Sequence, residues 1–135
     1  MRVRIVYAAL LGCASVMMGA AGSHVVAVTD AASQRAHDNW MLAVEFGLLH
    51  ALAAVASDQM STRIRLAGAA SWAFIGGSVL FCGSIWLKTL AAEGIAAQAA
   101  QAVGPAAPLG GLTLISAWAV LAAGAAMSRP QLDAS

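Results

Sequence analysis

Charge is scarce in this chain. Lysine and arginine together number 7 and the carboxylates 6 among 135 residues, a tenth of the sequence, where soluble domains carry about a quarter. With so little polar surface, the chain has no means of covering itself in water. The formal net charge is only +1, so no broad basic or acidic field points to nucleic acid. Cysteine is nearly absent, with 2 residues, Cys13 and Cys82. What fills the space is apolar: 61% of residues are hydrophobic and the mean hydropathy is +0.79. The length suits a single domain covering residues 1–135.

Four apolar stretches are each long enough to cross a hydrocarbon layer, which takes roughly 20 helical residues. They span about 5–28, 39–57, 66–87 and 109–127. The first is broken only by His24, the second carries Glu45 and His50, and the third and fourth are free of charge. Inside lipid the backbone must satisfy its own hydrogen bonds, so each stretch reads as a helix. The expected fold is all-α, an integral membrane bundle of four transmembrane helices. Between the third and fourth stretches lies an Ala/Gln-rich segment, Lys88 to Pro108, whose alanines suggest a short surface helix ahead of a Pro/Gly turn.

The basic residues orient the bundle. Arg2, Arg4, Arg63, Arg65 and Arg129 fall at the two termini and in the second connection, whereas Arg35 and Lys88 fall in the first and third. Alternating spans put the larger group on one side, and the positive-inside rule makes that side cytoplasmic, together with both termini. Trp40 and Trp86 then lie near the opposite membrane surface, where amphipathic rings are favoured. A cleaved signal peptide competes for the first stretch, since Arg2 and Arg4 precede an apolar run and Leu10-Leu11-Gly12-Cys13 loosely resembles a lipoprotein box. The apolar run continues well past Cys13, which favours a retained span.

Three polar residues inside the spans are candidates for function: His24, Glu45 and His50. Glu45 is the only acidic residue within a span, roughly 10 Å below the outer surface. A lone carboxylate in lipid commonly faces the bundle interior and marks a functional site. Two plainer readings compete: a protonated carboxyl bonded to a neighbouring helix, or a position shallow enough to meet water. His50 lies near the midplane, about 16 Å deep, and His24 near the outer end of the first span. Either histidine could ligate metal or haem or relay protons, but their depths differ, and a metal site needs several ligands converging on one point. The plainer role is a hydrogen bond between helices. Glu45 and His50, five residues apart, sit about 140° apart around a helix, so a Glu45–His24 contact is the better match in depth.

Small residues suggest how the helices pack. Ser15, Gly19 and Ser23 recur every four residues, with Gly22 beside them; Gly76, Gly77 and Gly83 offer a similar small-residue surface in the third span, without that period, and Gly110 and Gly111 open the fourth. Such stripes let helix backbones approach closely. Cys13 and Cys82, about 12 and 24 Å from the cytoplasmic ends of their spans, are mismatched for a disulfide and read as packing residues.

Four blocks resemble one family. Gly19-Ala20-Ala21-Gly22-Ser23-His24 resembles the "GAFGAH" signature of domain-of-unknown-function family 423, small bacterial inner-membrane proteins with eukaryotic transmembrane relatives. Ala43-Val44-Glu45 with His50-Ala51-Leu52 resembles its "AVQYQMYHAL", Phe81-Cys82-Gly83-Ser84 its "FSGS", and Pro108-Leu109-Gly110-Gly111 with Trp118 its "PLGG…GW". The blocks fall in order, one per span. Glu45 stands where the family pattern has Gln, so its carboxylate is not implied to serve a family-wide function, and the third connection is longer than usual. His24 and His50 match. The resemblance implies the membrane architecture and a bacterial inner-membrane location; it implies no activity.

The connections are too short for a catalytic domain, and no nucleophile–base pair, metal motif or cofactor motif is present. The expectation is therefore a non-enzymatic structural, partner or assembly protein, without catalytic residues, metal or cofactor. It would sit in the lipid bilayer as a homo-oligomer or beside a membrane-protein partner. The alternative is a small oligomeric transporter or channel for protons, metal ions or a small solute, lined by His24, Glu45 and His50. A haem or quinone protein using the two histidines is a further rival.

Overall fold

The computed structural model describes residues 2–92, 94, 103 and 105–128. Among the described residues four helices make up the fold: α1 (Val3–Val25), α2 (Ala31–Met60), α3 (Ala67–Ala92) and α4 (Ala106–Met127). Each is long and apolar enough to span a membrane, and no strand occurs among the described residues. The surface helix expected between Lys88 and Pro108 falls largely on residues 93, 95–102 and 104, outside the described residues; α3 itself continues to Ala92.

The helix ends differ from the hydropathy edges for local reasons. α2 starts at Ala31 rather than 39 because Asp30 caps it: its carboxylate accepts from the Ala32 and Ser33 amides, while the Ser33 hydroxyl accepts from the Asp30 amide. Such a box satisfies amides that a first turn leaves open, so the polar residues 31–38 are helical without being apolar. These hydrogen bonds hold the Asp30 carboxyl below the usual carboxylate range, the Ser33 amide contributing most. α4 starts at Ala106 because Pro108 lies in its first turn, where no amide hydrogen is needed. α1 stops at Val25, and Val26 turns extended with its amide donating to the Gly22 carbonyl.

Packing follows chain order, α1 on α2, α2 on α3 and α3 on α4, with a lesser contact between α1 and α3. Two buried clusters form the core. One gathers Ala8, Ala54, Ala70, Phe74, Leu114 and Ala117. The other gathers Val26, Trp40, Ala43, Val44, Cys82 and Trp86. Trp40 and Trp86 are 0% and 6% exposed, with ring centroids 6.3 Å apart. At the membrane level where they were expected, they are thus core residues packed between helices. Tyr7 and Trp72 face outward as a pair, both about half exposed and 5.7 Å apart.

The start of α1 and the end of α4 share a face of the bundle. Arg4 at the start of α1 pairs through Nε with Asp58 near the end of α2, and its guanidinium lies over Gly68 at the start of α3. On the same face the end of α4 grips the α2–α3 turn: the Arg65 amide donates to the Ser128 hydroxyl at 3.2 Å, and a side chain at Gly124 would overlap the Arg65 carbonyl. Leu66, with φ 67°, adopts the left-handed conformation that lets this turn enter α3.

Candidate functional site

His50 is the only one of the three candidates that is buried, at 4% exposure. It lies on the inward stripe of α2 with Ala43, Val44, Gly47, Ala51 and Ala54, a spacing that follows the helical repeat. Its Nδ1 is 2.7 Å from the Phe46 carbonyl one turn earlier. A carbonyl only accepts, so Nδ1 carries the proton. Nε2 is then the acceptor, and the Trp118 indole N–H of α4 donates to it at 3.4 Å. Both ring nitrogens are thus engaged.

Aromatic rings surround it. Phe46, Phe74 and Trp118 lie with centroids 5.5, 5.7 and 6.4 Å from the imidazole, and Phe74 meets Trp118 edge-on at 4.9 Å. Beside this cluster a cleft of about 450 Å³ opens between α2 and α4, lined by Leu49, His50, Gly111, Leu114, Ile115 and Trp118 among others. Its chemistry is apolar, with one imidazole already spoken for. Among the described residues, no three His, Cys, Asp or Glu side chains come together as a metal site.

Glu45 and His24 are exposed on the outside of the bundle. The expected Glu45–His24 contact is absent among the described residues, and the reason is rotational. α1 meets α2 through Gly19, where an added Cβ would lie 3.2 Å from Val44, and through Gly22, where it would lie 2.9 Å from the Trp40 ring. Glu45 follows Val44, about 100° around the helix, and so faces outward. There it lies in the row Leu42, Glu45, Leu49 and Leu52, whose leucines are 41%, 54% and 70% exposed. The structure thus separates the three candidates rather than joining them around a polar path.

The small residues divide similarly. Ser15 is buried, with its hydroxyl donating to Leu11, and a Cβ on Gly47 would overlap that hydroxyl. Gly77 and Gly110 form the α3–α4 crossing, where a Cβ on Gly110 would overlap the backbone of Phe81. Gly111 has only the Phe81 ring within ordinary contact. Ser23 is exposed and bonds its own helix at Ala20; Gly76 and Gly83 have open space where a Cβ would stand. The four-residue period of Ser15, Gly19 and Ser23 drifts off the contact, and Gly22 takes the place that Ser23 was expected to fill.

Cys13 is exposed and Cys82 buried, and both are free thiols. Two contacts escaped the sequence reading. The Arg4–Asp58 pair joins two charges at one end of the bundle, a pairing that their positions at the span edges could have suggested. The Ser71 hydroxyl donates to the Ala54 carbonyl at 2.9 Å, tying α3 to α2, with no signal in the sequence to distinguish it from other serines.

The comparisons with known proteins agree with this architecture. The family model described as "Protein of unknown function (DUF423)" matches residues 18–111, which carry Gly22, Trp40, His50 and the Gly77–Gly110 crossing. A UPF0382 membrane protein of Schizosaccharomyces pombe is 31% identical over 122 residues, covering 84% of this chain and 93% of that protein. No solved structure matches. With most of the chain aligned in both comparisons, this four-helix membrane protein belongs to the DUF423 family.

Proposed function

We propose that the protein is a non-enzymatic partner or assembly protein of a bacterial inner membrane, with both termini cytoplasmic, and that another membrane protein docks on the outward face of α2. One observation carries this reading: Glu45 sits on the lipid-facing surface with no hydrogen bond or ion pair among the described residues. It lies about 20 Å along α2 from Asp58, within a hydrocarbon layer of about 30 Å. A carboxyl there is costly unless a neighbour supplies a donor. The flanking leucines Leu42, Leu49 and Leu52 continue the row at alternating steps of three and four, the spacing of a helix–helix seam. A second copy would set Glu45 against Glu45, so a different chain bearing a donor or cation fits better. The clustering of Arg2, Arg4, Arg63 and Arg65 on one face supports the orientation.

The test is affinity purification of the tagged protein from its native membranes in mild detergent, comparing wild type with Glu45→Leu. A stoichiometric partner recovered with wild type and lost from the variant is the expected result. Equal recovery from both, or the chain alone from both, defeats the reading. An outward carboxyl also suits an oligomeric transporter in which copies enclose the path. Proton flux in proteoliposomes, abolished by Glu45→Gln and accompanied by a homo-oligomer without other chains, would favour that second reading.

A further inference from the structure

Away from Glu45, two hollows adjoin: one between the start of α1 and the end of α2, and one along the seam between α1 and α3. The first, about 480 Å³, lies at the basic face and is bordered by Arg2, Arg4, Asp58, Gln59, Thr62 and Trp72. The second, about 320 Å³, is an apolar groove below it, bordered by Tyr7, Leu10, Ala14, Ile75, Val79 and Gly83. Tyr7 of the groove and Trp72 of the pocket form a ring pair 5.7 Å apart, so the two hollows meet at that pair. The groove runs about 12 Å down α3 from Ile75 to Gly83. It exists because α1 and α3 touch only slightly and because Gly83 leaves open the space where a side chain would stand.

The polar pocket favours an anion. Arg4 already neutralises Asp58, which leaves Arg2 as the uncompensated charge. The first turn of α1 has no side-chain cap, so its open amides add partial positive charge beside Arg2. Gln59 and Thr62 offer an amide and a hydroxyl that make no hydrogen bond among the described residues. Half-exposed Tyr7 and Trp72 mark the headgroup level, where aromatic rings collect. A ligand matching the whole seam has a phosphate at one end and a hydrocarbon chain at the other.

We propose that this seam is a binding site for an anionic phospholipid, with the headgroup phosphate at Arg2, Gln59 and Thr62 and an acyl chain in the groove that runs past Gly83 to Trp86. Basic pockets between helices are a recurrent way of selecting anionic lipids. The site lies on a different face from Glu45, so it stands or falls independently of partner docking there.

Detergent-purified full-length protein, washed free of lipid, is titrated with phosphatidylglycerol or phosphatidylcholine, and bound lipid is counted by native mass spectrometry. Thermal protection by inorganic phosphate is measured in parallel. We expect wild type to prefer phosphatidylglycerol by about fivefold, the effect of one basic side chain near an anionic headgroup. Arg2→Gln removes that preference; Gly83→Leu lowers retention of both lipids; Arg63→Gln, on the same face but outside the pocket, changes neither. Equal retention of the two lipids by wild type overturns the proposal. So does an Arg63→Gln loss as large as that of Arg2→Gln, which would indicate diffuse surface charge. Undiminished retention by Gly83→Leu overturns it as well, and so does protection by inorganic phosphate equal to that by phosphatidylglycerol.

Discussion

The indole of Trp40 lies across Gly22, so close that a Cβ there would stand 2.9 Å from both Cδ1 and Nε1, while its N–H donates to the Met18 carbonyl at 2.7 Å. A residue of α2 thus caps a bare stretch of α1 and bonds its backbone. Gly22→Ala forces the ring away and strains that hydrogen bond. A loss of about 1–3 kcal/mol is expected, as for overpacking of a filled core, read as a lower unfolding temperature in detergent with a shift in tryptophan emission. An unchanged unfolding temperature would contradict this account of the α1–α2 contact.

Two glycines of similar appearance in the sequence should behave in opposite ways. At Gly110 an added methyl would overlap the Phe81 backbone, which cannot swing aside as a side chain can. Gly110→Ala should therefore separate α4 from α3 and lower stability markedly. At Gly76 nothing stands within 4 Å, so Gly76→Ala gains only helix propensity, about 0.5–1 kcal/mol. Thermal unfolding of the two variants side by side should give shifts of opposite sign.

His50 joins α2 to α4, and its two bonds are of unequal weight. Trp118→Phe keeps an aromatic ring at a residue that is 45% exposed and removes a donor 3.4 Å from its acceptor; the expected loss is under about 1 kcal/mol. His50→Ala removes the imidazole from the centre of three ring contacts and strands the Trp118 N–H, so about 2–4 kcal/mol is expected. A larger loss from Trp118→Phe than from His50→Ala would reverse the assignment.

Asp30 ties the start of α2 to pH. Its folded pKa lies below its ordinary value because the Ser33 amide, the Ser33 hydroxyl and the Ala32 amide bond the charged form. The unfolded chain therefore takes up a proton first as pH falls. The cap's contribution is fully present above the usual carboxylate range and is lost as pH drops through the lowered folded value. Amide exchange at Ala32 and Ser33 should accelerate there relative to amides in the middle of α2. Asp30→Asn, which caps without titrating, should show no such step.

The four spans were legible because lipid demands long apolar runs, and hydropathy reports those directly. The start of α2 was not legible in that way, since residues 31–38 are polar; the signal lay instead in Asp30 and Ser33, three residues apart. The small-residue stripe pointed to the correct face of α1 at Ser15 and Gly19, with Gly22 beside them, but its strict period of four also led to Ser23, which is exposed. Glu45 shows the other limit. Its residue type announced its importance, yet its direction depended on which neighbours α2 meets. The inward run Ala43, Val44, Gly47, His50, Ala51 and Ala54 contained that information, since Glu45 falls outside it. The His50–Trp118 bond spans 68 residues and depends on how α2 and α4 both settle on α3, which no local pattern encodes.

Because each helix rests chiefly on the one before it, the chain can be assembled in the order in which it is made. α1 and α2 form a hairpin closed by Trp40 on Gly22, α3 adds to α2 through Ser71, and α4 arrives last. Little sequence separates the partners at each step, so the entropy of closing loops stays small and few wrong neighbours compete. The last arrival also seals the structure: only when α4 is in position can Ser128 and Gly124 engage Arg65 and hold the α2–α3 turn with Leu66 in its left-handed conformation. That contact needs both ends of the fold in place, joining the last helix to the turn between the second and third.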